Sequence, residues 1–198
     1  MLPSSVETNN EVLKKQAEAS ERQENAKKAK EVADDLFPDE KWKIVEDGIY
    51  LSPRRAIGKK SNYLDELRDA QILRDLGSTV YLVSEPNTEG RKFDAIVNGL
   101  KFEFKNVGGN ANTLITQFLK SRSQAPNVFI NLETSHLTSR EALSTLYGAR
   151  NSVTRTNKKG TVLKGYDDYN KFSSGKIILK LKGNNSMIYL NVDDLKIP

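Results

Sequence analysis

The chain reads as an α/β protein, a mixed central β-sheet flanked by helices, with a helical N-terminal extension and a C-terminal β-hairpin. Three observations predict this. Short strand-length apolar runs recur after about residue 42, helix-length segments fall between them, and residues 7–35 contain neither glycine nor proline. The order helix, three strands, helix, strand in the middle of the chain describes a mixed sheet with helices on its faces.

The elements follow in order. Residues 1–40 form a charged helical extension or linker: helix propensity is high, but the apolar face is sparse, with Val12, Leu13 and Ala17. No function is expected there. Phe37-Pro38-Asp39-Glu40 ends it, and Trp42 and Ile44 open a packed domain spanning 41–198, Trp42 as a buried anchor. Gly48–Ser52 is a short strand. Arg54, Arg55, Lys59 and Lys60 make a basic loop before Asn62, which can cap a helix running to about Leu76, and Gly77 stops it. Strands at Thr79–Ser84, Lys92–Val97 and Leu100–Asn106 precede a helix from about Asn112 to Arg122, an apolar strand at Asn127–Leu132 and a helix over Thr138–Thr154. A hairpin of Lys176–Lys182 and Met187–Val192 around Gly183-Asn184-Asn185 closes the chain.

Composition excludes several chemistries. With no cysteine among 198 residues there are no disulfides, thiolate metal sites or cysteine nucleophiles, and with His136 as the single histidine a zinc site is not expected. No apolar run approaches the roughly 20 residues of a membrane helix, and the N-terminus lacks a signal-peptide layout, so the chain reads as soluble, with any delivery by another route. The net charge of +5 is unevenly placed. Residues 1–40 hold ten acids and six bases, a net of −4, which leaves +9 for residues 41–198; residues 138–182 alone hold ten bases against three acids. Such a field gathers polyanions, so nucleic acid or an acidic protein is the expected partner.

The most informative stretch is residues 92–105, KFDAIVNGLKFEFK. Asn98-Gly99 between alternating apolar residues signals a two-residue hairpin turn, because both turn positions take positive φ. The turn sets the register: Val97 faces Leu100, Ile96 faces Lys101, Ala95 faces Phe102 and Asp94 faces Glu103. Alternation then puts Phe93, Ala95, Val97, Leu100, Phe102 and Phe104 on one face, and Asp94, Ile96, Lys101, Glu103 and Lys105 on the other. Two carboxylates directly opposite one another repel, and a hard divalent cation between them converts that repulsion into binding. Lys105 points into the same place, able to orient the attacking water or to stabilise charge developing on a phosphate. A solvent-facing hairpin whose lysines neutralise its acids is the plainer alternative.

Glu66 lies on the side of its helix that carries Ala70 and Leu73, where a carboxylate needs a partner, and no base stands one turn away. Either a metal shared with Asp94 and Glu103 or a base on another element would supply one.

A helix glutamate, an aspartate and a Glu-x-Lys on the next strand, here Glu66, Asp94 and Glu103-Phe104-Lys105, resemble the PD-(D/E)XK nuclease superfamily with its αβββαβ core; Phe93 stands where that superfamily often has proline. Residues 61–134, including Leu114-Ile115-Thr116-Gln117 and Ser123-Gln124-Ala125, look like the C-terminal tRNA-nuclease domains of contact-dependent growth inhibition toxins and related polymorphic or phage-borne toxins. The resemblance implies Mg²⁺, or Mn²⁺, held by Asp94 and Glu103 with support from Glu66, a water served by Lys105, an RNA substrate such as tRNA, and a cognate immunity protein. It also implies action in the cytoplasm of a target cell, as part of a larger toxin. Gln124 matches a polar position that touches phosphate or the lysine. Arg122, Arg140, Arg150, Arg155, Lys158 and Lys159 are the candidates for holding the RNA backbone. The expected function is thus a metal-dependent endoribonuclease toxin. A DNA endonuclease on the same fold and a non-catalytic RNA- or protein-binding module are the alternatives. His136, a lone loop histidine, carries no role, and Val107-Gly108-Gly109-Asn110 lacks the lysine of a phosphate-binding glycine loop.

Overall fold

A computed structural model describes residues 5–55, 60–84, 93–151, 174–183 and 186–195. Helix α1 spans Ser5–Leu36, strands β1 and β2 Lys43–Glu46 and Ile49–Leu51, helix α2 Lys60–Asp75, and strands β3, β4 and β5 Val80–Leu82, Ala95–Val97 and Leu100–Asn106. Helix α3 (Ala111–Arg122), β6 (Asn127–Asn131), α4 (Ser139–Asn151), β7 (Lys176–Lys180), β8 (Met187–Asn191) and a 3-10 turn at Val192–Leu195 complete it. The sequence α2-β3-β4-β5-α3-β6 is the expected helix, three strands, helix, strand. The strands form one mixed sheet in the order of the chain, β1 to β8, parallel at β2/β3, β5/β6 and β6/β7 and antiparallel elsewhere.

The hairpin forms in the expected register for three of its four pairs, Ala95 with Phe102, Ile96 with Lys101 and Val97 with Leu100; the expected fourth, Asp94 directly opposite Glu103, does not form, because the Asp94 amide goes to the Phe102 carbonyl. Asn98 and Gly99 both take positive φ, 50° and 82°, as a type I′ turn requires. Helix α3 starts where Asn110 caps it, the side-chain oxygen accepting from the amides of Asn112 and Thr113. Helix α2 begins before Asn62, at Lys60, so Asn62 lies inside its first turn instead of capping it.

Both faces of the sheet are covered. On one, Ala70 and Leu73 of α2 pack with Ile49, Val80, Leu82, Ala95, Val97, Phe102, Phe104 and Phe129. On the other, α3 and α4 pack on Val128, Ile130, Ile177 and Leu179, while Ala29 and Ala33 of α1 are fully buried against Tyr81, Val83, Phe93, Ile96 and Ala125. The second half of α1 is therefore core, and the apolar residues that mattered for packing are these small ones, with Val32 and Leu36. Val12 and Leu13 remain exposed. Trp42 is an anchor that is partly buried instead of fully, edge-on to Tyr81 and to Phe37.

The expected one-sided alternation holds from Ala95 to Phe104 but breaks before it. Phe93 packs with Ile96 in the α1 cluster, not with Ala95. The reason is local: the Asp94 amide donates to the Phe102 carbonyl at 3.0 Å, outside the register that pairs Phe102 with Ala95, so the strand shifts at Asp94. No helix among the described residues is long and apolar enough to cross a membrane.

Candidate active site

Asp94 enters the sheet at the start of β4 and is fixed on every side by main chain. Its carbonyl accepts from the Val83 amide at 3.0 Å, its amide goes to Phe102, and its Oδ2 accepts the Phe104 amide at 2.8 Å, in place of a main-chain carbonyl. The carboxylate is thereby part of the ladder that carries Glu103. Asp94 is 5% exposed and Glu103 1%.

Glu103 sits on β5 between Phe102 and Phe104, which alternation sends to the opposite face toward α2. Lys105 follows on the same face as Glu103, and its ammonium makes an ion pair with Glu103 Oε1. The other oxygen, Oε2, is buried without a donor among the described residues. Burial pushes the Glu103 carboxyl up to about 8, and the neighbouring Asp94 carboxylate pushes the same way; Lys105 pulls it down without prevailing. An orphaned carboxylate oxygen, a second carboxylate beside it and hard oxygen donors throughout suit a small divalent cation such as Mg²⁺, which needs only one or two carboxylates besides water and phosphate.

Glu66 does not join that pair. Its Oε2 is engaged by Arg55, whose guanidinium also reaches the carbonyls of Val83 and Asp94, so the base on another element is the partner found. Among the described residues, no three Asp, Glu or His groups come together as a metal cluster. The expected three-carboxylate centre is replaced by a two-carboxylate pair with an ion pair beside it, because Arg55 neutralises Glu66 locally.

The remaining candidates divide. Arg122 is buried at the end of α3, donating to the carbonyls of Pro126 and, at 2.7 Å, Ser174; burial lowers its guanidinium to about 10. It clamps loops together and is a correction to the expected RNA contact. Gln124 follows α3 half-buried, with Oε1 lacking a donor among the described residues. Arg140 is exposed in the first turn of α4, His136 is exposed after β6, the Arg150 side chain is outside the described atoms, and Arg155, Lys158 and Lys159 lie outside the described residues.

Two residues carry more than the sequence suggested. Arg55 is one. Asp69 is the other: fully buried on α2, it accepts from Asn106 Nδ2 at 2.9 Å and Asn131 Nδ2 at 2.8 Å, tying the helix to the ends of β5 and β6. Its position beside Ala70 and one turn before Leu73 on the buried stripe was the available signal.

Comparison with known proteins adds little to this geometry. No family model and no curated protein matches the chain. A chain of a CdiA-CT/CdiI toxin and immunity complex from Burkholderia pseudomallei is similar in structure, at 18% identity and a TM-score of 0.43, over 71% of this chain and 97% of that one. A likeness of that size carries no argument about activity, and the site stands on its own residues.

Proposed function

We propose that the chain is a metal-dependent endoribonuclease of the PD-(D/E)XK type, hydrolysing a phosphodiester bond in RNA, with tRNA as substrate. The single observation that carries this reading is the buried pair Asp94 and Glu103, adjoining on a hairpin with Lys105 paired to it and one carboxylate oxygen orphaned. Two buried acids that repel are a cost that the Lys105 ammonium beside Glu103 offsets only in part, and a divalent cation between them would offset it further.

Asp94 and Glu103 would hold the divalent ion. Bound there, it supplies Lewis-acid charge at the phosphate and makes a coordinated water more acidic. The residues do the rest. Phe104 and the main chain around Asp94 keep that carboxylate from rotating, so the pair is preorganised. Glu103, whose carboxyl burial raises, would be favoured as the carboxylate by that added charge. Lys105, beside Glu103, would set a positive charge where the phosphate gains negative charge. The toxin role and the immunity protein as partner extend this reading from the sequence resemblance.

The test incubates the full chain with total tRNA, ribosomal RNA and duplex DNA, with Mg²⁺ or EDTA, beside Asp94→Ala and Glu103→Gln. Mg²⁺-dependent tRNA cleavage that falls at least ~100-fold in both variants is the expected result. Nicked DNA with intact RNA would move the proposal to a DNA endonuclease. Retarded but uncut RNA would replace it with a binding module.

A further inference from the structure

We infer that Arg55 is a positioning residue of this site, holding Asp94 by its main chain and keeping Glu66 as its own partner outside the metal's ligand set; the inference rests on reading Asp94 and Glu103 as ligands. The Arg55 side chain is 9% exposed. One arm of its guanidinium, Nη1, donates to the Val83 carbonyl and lies 3.4 Å from the Asp94 carbonyl, and Nη2 pairs with Glu66. Val83 and Asp94 are already joined by a main-chain hydrogen bond. Arg55 therefore closes over the point where the end of β3 meets the start of β4, at the residue where the ladder shifts.

The loop that presents Arg55 is itself held. The Ser52 amide donates to Leu82 at 2.9 Å, the Arg55 amide to the Ser52 carbonyl at 3.1 Å, and the Arg54 amide to Ser52 Oγ at 3.2 Å. Ser52 Oγ in turn donates to Glu40, whose nearly buried carboxylate also pairs with Arg54 Nε at 3.3 Å. A guanidinium fits this place because its planar fork can serve two carbonyls and a carboxylate together and stays charged at any working pH, whereas an ammonium is a single point of charge. Among the described residues, Glu66 reaches the site through this fork. Its charge is balanced where it stands, so it adds no further repulsion to the two acids of the hairpin.

The test is Mn²⁺ titration calorimetry on the full chain, wild type against Arg55→Ala, Arg55→Lys, Glu66→Gln and Asp94→Asn, with urea unfolding and RNA-cleavage kinetics on each. Arg55→Ala should weaken Mn²⁺ binding ~10–100-fold, as loss of an outer-shell partner does, and lower kcat with little change in KM. Arg55→Lys should recover part of both, and Glu66→Gln, which leaves the two carbonyl bonds in place, should lose less Mn²⁺ affinity than Arg55→Ala. If Arg55→Ala does not fold, Arg55→Lys carries the comparison and is expected to bind Mn²⁺ more weakly than wild type. Unchanged Mn²⁺ affinity in the Arg55 variants overturns the inference while leaving the metal site intact. A loss in Glu66→Gln equal to that in Asp94→Asn overturns it too, by making Glu66 a ligand. Absence of Mn²⁺ uptake by the wild type removes the metal reading and this inference together.

Discussion

Replacing Asp69 by asparagine should invert its effect on stability between mildly acidic and mildly alkaline pH. Asp69 is fully buried between α2 and the ends of β5 and β6, and burial raises its carboxyl from 3.8 to about 7 although Asn106 and Asn131 both donate to it; Asp65 raises it further and Arg68 lowers it. A carboxyl raised in the fold binds its proton more tightly folded than unfolded. Its contribution is therefore whole below about pH 3.8 and is lost as pH rises through about 7. Between pH 5 and pH 8 linkage puts that loss at ~2.5 kcal/mol. In Asp69→Asn the amide presents an NH₂ to one of the two asparagine donors, which costs about 1–3 kcal/mol at any pH. The variant should thus be the less stable protein at pH 5, and the gap should close or reverse by pH 8. Urea unfolding at pH 5, 6, 7 and 8, followed by far-UV circular dichroism, reads both curves. A gap constant to within ~0.5 kcal/mol across that range would show that Asp69 titrates as an ordinary surface acid, and the argument from its burial would fall.

Two further substitutions test the frame around the site. Arg122→Ala should lower stability by ~1–2 kcal/mol, since it removes a buried guanidinium and its two part-buried bonds to the Pro126 and Ser174 carbonyls; lost RNA affinity at unchanged urea midpoint would return the guanidinium to a substrate role. Gly99→Ala should cost ~1–2 kcal/mol, because Gly99 has φ of 82° and a Cβ there meets the Lys28 carbonyl oxygen at 3.2 Å. Unfolding midpoints equal to wild type would show that α1 does not press on that turn.

The hairpin could be read in advance because a two-residue Asn-Gly turn leaves one register, and register decides which side chains share a face. The same register put Glu103 and Lys105 on one face; it also put Asp94 directly opposite Glu103, a pair the ladder does not form. What alternation does not contain is the shift at Asp94, which depends on a side-chain oxygen taking the Phe104 amide. Nor does it contain Arg55, whose three partners come from β3, β4 and α2: one helix's own spacing could say that Glu66 needed a base, not which one. Ala29 and Ala33 escaped notice because alanine in a charged helix looks like helix propensity, and only the close approach of α1 to Phe93 and Ile96 turns it into packing. Arg122 misled in the opposite sense, as an arginine in a basic chain is ordinarily wet. Strand β1 gave a weak signal since Ile44 points outward at the sheet edge, 73% exposed.

The order of the strands has one more consequence. Each lies next to its neighbours in the chain, from β1 at one margin to β8 at the other. Under tension on either terminus such a sheet can come apart in sequence, each detached strand uncovering the edge of the one behind it, and reassembly can run the same course backwards. Resistance to pulling is then set by the marginal hairpins first, and the carboxylate pair in the middle of the sheet is among the last places to yield.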